Sequence, residues 1–301
     1  MTIRGSLSDK NILVRLLVWL CMIFVLTIPT LVTWRLIAGN TPSVTALKVL
    51  QTVQTFVVFI VPVLVAAWLW SDRPVKWLHL DKGMNVQTAL LVPLMMILFS
   101  PGINLLSVLN QQVVLPSWLA ELEVMLKEQE DAASALTELF ARADTIPQLC
   151  VNLLIMAVLP AIGEELCFRG GLQGLFMEKQ RPTHYIGHMR ARVHTSVWLT
   201  AILFSALHFQ FYGFVPRMLL GALLGYLLVF SGSLYVPMLA HFTNNAIAVI
   251  SYYIAGKGLV SEESIDTFGS GDTWWVGVLS LIAGSVTMWL VVRQQSSAQR
   301  P

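Results

Sequence analysis

Eight stretches of this chain are long, apolar and almost free of charge, and that pattern names the solvent before it names the fold. They lie near 12–35, 48–70, 86–108, 146–166, 195–212, 214–231, 233–255 and 274–292. A helix needs about 20 apolar residues to cross the hydrocarbon core of a bilayer. Only 12% of the residues are charged, where an ordinary soluble domain has about a quarter, so lipid rather than a soluble core must take up this apolar surface. The two-residue alternation of a barrel is absent, and in lipid every backbone polar group must be satisfied internally, so helices are expected. The reading is an all-α, polytopic membrane protein of about eight transmembrane helices, with residues 1–301 forming a single integral membrane domain. The first run is too long for a signal-peptide core and has no small-residue cleavage site after it, so it reads as a retained anchor.

Charge between the runs orients them. Arg4, Lys10 and Arg15 sit at the start, Arg73, Lys76 and Lys82 follow the second run, Lys179, Arg181, Arg190 and Arg192 follow the fourth, and Arg293 and Arg300 follow the eighth. The intervening connections are acidic: Glu121, Glu123, Glu128, Glu130, Asp131, Glu138 and Asp144 stand against Lys127 and Arg142. By the positive-inside rule both termini are cytoplasmic. The acidic stretch "SWLAELEVMLKEQEDAASALTELF" places Trp118, Leu122, Met125, Leu126, Leu136, Leu139 and Phe140 at roughly helical spacing. It reads as an amphipathic helix on the membrane surface. A net charge of +2 and the lack of a basic, aromatic-interleaved patch exclude nucleic acid as a partner. Cys21, Cys150 and Cys167 are irregularly spaced and read as plain buried cysteines, not a disulfide framework or metal knuckle.

Polar groups at membrane depth survive there with a partner, a water-filled pocket or a function. Glu164, Glu165 and Arg169 end the fourth run, His208 lies in the fifth, and His241, Asn244 and Asn245 lie in the seventh. At about 1.5 Å per residue, His241 sits about 12 Å and His208 about 15–20 Å into their spans. One cavity in the cytoplasmic half can hold them together with Glu164. Glu165 and Arg169 are i, i+4 with the acid first, the favourable order for an ion pair, which makes them supporting residues and leaves Glu164 free. Pro160, four residues before Glu164, predicts a kink just ahead of the carboxylates. His241 and Asn245 share a face, and Phe204 packs beside His208. Gly221 and Gly225 have the spacing that lets helices approach closely, and packing is their expected role.

No serine or cysteine is poised as a nucleophile, so activated water is the natural reagent. Glu164, with His208 beside it, suits a general base, and His241 and Asn245 suit donors to the resulting oxyanion. Zinc held by Glu164, His208 and His241 is the alternative cofactor, although no H-E-x-x-H helix is present. His184, His188 and His194 cluster in a basic, arginine-rich connection, where a solvated loop is the expectation.

Three motifs now stand in order on successive helices: "EELCFR" fits E-E-x-x-x-R, "FSALH" fits F-x-x-x-H, and "HFTNN" fits H-x-x-x-N. Together they resemble the CAAX-protease and bacteriocin-processing (CPBP) group of intramembrane proteases, over a core of about 146–250. The resemblance implies a CAAX-type endopeptidase, dependent on glutamate or on metal, acting on a membrane-associated peptide or protein. It implies Glu164 as the water-activating residue, His208 as its partner, and His241 with Asn245 steadying the transition state. The competing classes are a non-catalytic immunity or regulatory protein and a proton-coupled transporter; the apolar outer half of the spans and the lack of an internal repeat rank the last lowest. A compact chain of this kind fits a bacterial inner membrane, with the bilayer itself as a partner.

Overall fold

Each apolar run becomes a helix in the computed structural model, which describes residues 3–38, 42–178 and 191–298. In chain order these are α1 (Ile12–Ala38), α2 (Val44–Trp70), α3 (Val86–Gln111), α4 (Ala120–Ala141), α5 (Ile146–Met177), α6 (Ala191–Ala206), α7 (Phe214–Ser231), α8 (Tyr235–Gly256) and α9 (Trp274–Ala298). Helical turns also form at Pro74–Trp77 and Glu262–Thr267. Among the described residues there is no strand, so the fold is all-α. α4 is the acidic helix.

Six of these segments are long and apolar enough to cross a membrane: those of α1, α2, α3, α5, α7 and 271–294. α6 has 16 residues, about 24 Å of helix, and α8 carries His241, Asn244 and Asn245 within its apolar stretch. Large apolar side chains on the periphery are exposed, among them Phe24, Leu90, Ile282 and Trp289. A chain that turns its apolar surface outward is built for lipid, and the protein is an integral membrane protein. Cys167 is buried as expected, whereas Cys21 and Cys150 are exposed; all three are free. Exposure on apolar helix faces such as these carries none of the cost of facing water.

Two sequence boundaries are corrected. The fourth span runs on to Met177 instead of ending near residue 166, because Arg169 and Gln173 find backbone acceptors on α7. The fifth ends at Ala206 rather than near residue 212, so His208 lies beyond the helix, in the turn that leads to α7. Three apolar cores are found among the described residues, and the smallest joins α6 and α7 through Val197, Ala201 and Ala222. Of the other two, one gathers Trp19, Val63, Trp70, Leu166, Phe168 and Phe204; the second joins α3, α7, α8 and α9 through Val92, Met96, Leu224, Val236 and Val291.

Candidate active site

α5 opens on a capping box, with Thr145 accepting from the Gln148 amide and the Gln148 side chain returning to the Thr145 amide. Its regular winding is interrupted twice. Over Leu154–Val158 it widens to a π-helix, and the Leu159 N–H bonds the Leu154 carbonyl five residues back. This segment meets Pro160, which lacks the amide that would serve the Met156 carbonyl in an α-helix. Asn245 fills that position from α8: its Nδ2 donates to Met156 O at 3.3 Å. At the kink expected from Pro160 the helix forms a π-bulge, and its Met156 carbonyl is tied to another helix.

The second π segment, Glu165–Gln173, begins at the paired glutamates. Such bulges re-aim side chains and often occur at functional sites. Arg169 Nη2 donates to Gly221 O and Gln173 Nε2 to Gly225 O, each at 3.1 Å. Two polar side chains one turn apart thus meet two glycine carbonyls one turn apart. A Cβ at Gly221 would come within 3.2 Å of Phe204 and of the Ala201 backbone, so the packing role expected of this pair is also what lets the site close.

Glu165 stands at the centre. Its Oε1 accepts from Arg169 Nη1 at 2.8 Å and from His241 Nδ1 at 2.8 Å, and all three side chains are buried. A carboxylate can only accept, so Nδ1 of His241 carries a hydrogen, and in the neutral ring Nε2 is left with the lone pair. That Nε2 lies 3.9 Å from Glu164 Oε2, and Glu164 Oε2 is buried without a protein hydrogen-bond partner. Glu165 therefore does more than pair with Arg169, as its spacing had implied: it also orients His241.

His208 donates through Nδ1 to the Phe204 carbonyl at 2.7 Å. Among the described residues no hydrogen bond or ion pair joins it to Glu164; it meets the rest of the group through Phe204. The Phe204 ring stands edge-on to His208 at 4.9 Å and to His241 at 6.1 Å between centroids, and the Arg169 guanidinium lies 4.4 Å from its centre. The sequence placed Phe204 beside His208 but gave no sign of this central position. Asn245 Oδ1 accepts from Asn244 at 3.3 Å.

Both imidazoles have the bonding that metal-ligating histidines show, with one nitrogen tied to a carboxylate or carbonyl and the other free. Their spacing does not match: among the described residues no group of three or more His, Cys, Asp or Glu is arranged to hold a metal ion. Of the other histidines, His184 and His188 lie outside the described residues, and His194 Nδ1 bonds the Tyr226 hydroxyl at 2.8 Å.

Residues 146–247 match the family described as Rce1-like, type II CAAX prenyl endopeptidase, so the resemblance carried by the three motifs is borne out. Over 100 residues, 32% of this chain, the sequence is 29% identical to the uncharacterized protein YpbD of Bacillus subtilis (strain 168). The matched stretch spans 43% of that relative's length. No solved structure matches the chain.

Proposed function

We propose that the protein is an intramembrane endopeptidase of the CAAX type that hydrolyses a peptide bond in a membrane-associated substrate with a water held between Glu164 and His241. The supporting observation is the 3.9 Å approach of His241 Nε2 to Glu164 Oε2 while Glu165 holds Nδ1. A carboxylate oxygen and a neutral imidazole nitrogen are both acceptors and cannot bond each other. A water between them supplies a hydrogen to each.

The proposed cycle balances on these side chains. Glu164 takes a proton from the water as its oxygen adds to the substrate carbonyl carbon. Asn245 has one amide hydrogen on Met156 and offers the other to the developing oxyanion. The tetrahedral intermediate then collapses, the C–N bond breaks, and the proton on Glu164 passes to the departing amine. His208, whose free nitrogen is Nε2, assists that transfer. Glu165 and Arg169 hold His241 and balance any charge it gains. Zinc would draw on Glu164, His208 and His241, and because their spacing does not suit it, every step here belongs to side chains.

Around this site we place eight spans with both termini cytoplasmic, α4 on the outer membrane surface, and a bacterial inner membrane as host. Reporter fusions at each connection test that arrangement. The function is tested by comparing membrane proteomes of cells carrying the wild-type or the Glu164→Gln protein. One precursor that accumulates uncut with the variant is expected; identical proteomes would overturn the reading.

A further inference from the structure

The acidic helix α4 lies outside the stretch matched to the family, yet it grips the loop that carries His208. Glu130 accepts from the Gln210 side chain at 3.2 Å and from the Tyr212 backbone N–H at 3.3 Å. Asn110, at the end of α3, donates to the carbonyls of Phe211, at 3.1 Å, and of Tyr212. Arg217, in the first turn of α7, donates to Gln210 Oε1 at 2.7 Å. Lys127, nearly one turn before Glu130, lies 5.8 Å from the centre of the Tyr212 ring.

These bonds surround a strained backbone. Phe209, directly after His208, has φ 54, a left-handed conformation that residues with a bulky side chain rarely adopt. Such strain persists only where the surroundings over-determine it, and it concentrates at functional sites. The Phe209 ring is 75% exposed, so its own packing does not supply the restraint. The local bonds from His208 N–H to Ser205 O and from Phe209 N–H to Ala206 O are joined there by the hydrogen bonds from α3, α4 and α7.

We propose that Glu130 is a positioning residue for His208, and that α4 acts as a clamp on the active-site turn as well as a helix on the membrane surface. This rests on the peptidase reading above. Glu130 touches neither substrate nor water; it fixes residues 210–212, which fix the Phe209 conformation and hence the place of His208. A catalytic group displaced by about 1 Å can lose about a hundredfold in rate.

The test uses the full-length protein in nanodiscs with the precursor that the proteome comparison is expected to identify. Glu130→Ala is expected to lower kcat by about tenfold or more with little change in KM. Glu130→Gln, which keeps one acceptor oxygen for the loop, is expected to recover most of that loss. In a His208→Ala background Glu130→Ala should add no further loss, since it acts through the missing imidazole. Amide exchange over 207–213 should quicken in Glu130→Ala while 214–231 keeps its protection. Unchanged exchange and unchanged kcat would overturn the proposal, as would equal losses with and without His208. If the wild-type protein cleaves nothing while exchange responds as expected, the peptidase reading fails and the clamp stands.

Discussion

His241 and Glu165 meet at 2.8 Å through Nδ1 and Oε1, and the same oxygen also holds Arg169. Replacing that carboxylate leaves a fully buried guanidinium without its hydrogen-bonded counter-ion. Glu165→Gln is therefore expected to cost about 3–5 kcal/mol of folding stability and to free the His241 ring. Thermal unfolding in nanodiscs measures the first effect; an unshifted melting temperature would show that Arg169 is neutralised elsewhere.

Glu164 predicts the opposite balance. Its Oε2 makes no hydrogen bond within the protein, so Glu164→Gln removes a proton acceptor while preserving shape. Cleavage should fall by about 10²–10⁴-fold, with a melting temperature close to wild type. Equal destabilisation of the Glu164 and Glu165 variants would mean that the first motif is structural throughout.

Asn245 has a stability role separable from any role in turnover. Asn245→Ala removes the hydrogen bond to the Met156 carbonyl, at a cost of about 0.5–1.5 kcal/mol. Pro160→Ala restores the amide that would serve this carbonyl in an α-helix. In that background the stability cost of Asn245→Ala should shrink, while the loss of cleavage persists because the oxyanion donor is still missing. A double-mutant cycle on melting and on rate separates the two; simple additivity in stability would sever the link between Pro160 and Asn245.

What the sequence disclosed and what it hid divide along chain separation. Apolar runs specify helices because lipid leaves the backbone no other partner, so each run carries a helix, six of them long and apolar enough to cross a membrane, and the i, i+4 spacing of Glu165 and Arg169 was enough to pair them. The bond from Glu165 to His241 joins helices far apart in the chain, and no local periodicity reports it. Nor did local signals reveal that Asn245 answers Pro160, or that Glu130 holds the loop at residue 212. F-x-x-x-H reads as a helical repeat, yet the helix stops at Ala206 and Phe209 turns left-handed without the glycine that would have announced it.

The connection between α2 and α3 predicts a pH response outside the membrane helices. Burial holds the His79 imidazole below its ordinary value and Lys82 pushes the same way, while the Gly232 backbone bond and Asp81 pull it back. The folded state thus favours neutral His79. Below about pH 6.5 the unfolded chain takes the proton first, so this contribution to stability is present above that value and is lost as the pH falls toward the lowered folded value. Melting temperatures between about pH 8 and pH 5 should decline on the acid side, less steeply in His79→Gln. Parallel curves for the two proteins would assign the decline to other groups.

We expect spacing rather than donor type to decide whether zinc takes part. His241 and His208 each tie Nδ1 to an acceptor and leave Nε2 free, a pattern that serves a bound metal or a bound water equally well. A zinc ion needs its ligand atoms at about 2.0–2.2 Å around one point, which requires three groups to converge. Glu164 and His241 stand at a water's reach from each other, and His208 is tied through Nδ1 to the Phe204 carbonyl. Cleavage is accordingly expected to survive dialysis against a chelator, with zinc well below one ion per chain and no change in metal content on His208→Ala. Loss of cleavage on chelation, restored by zinc alone, would show that the three side chains close around a metal during turnover and would replace the side-chain mechanism.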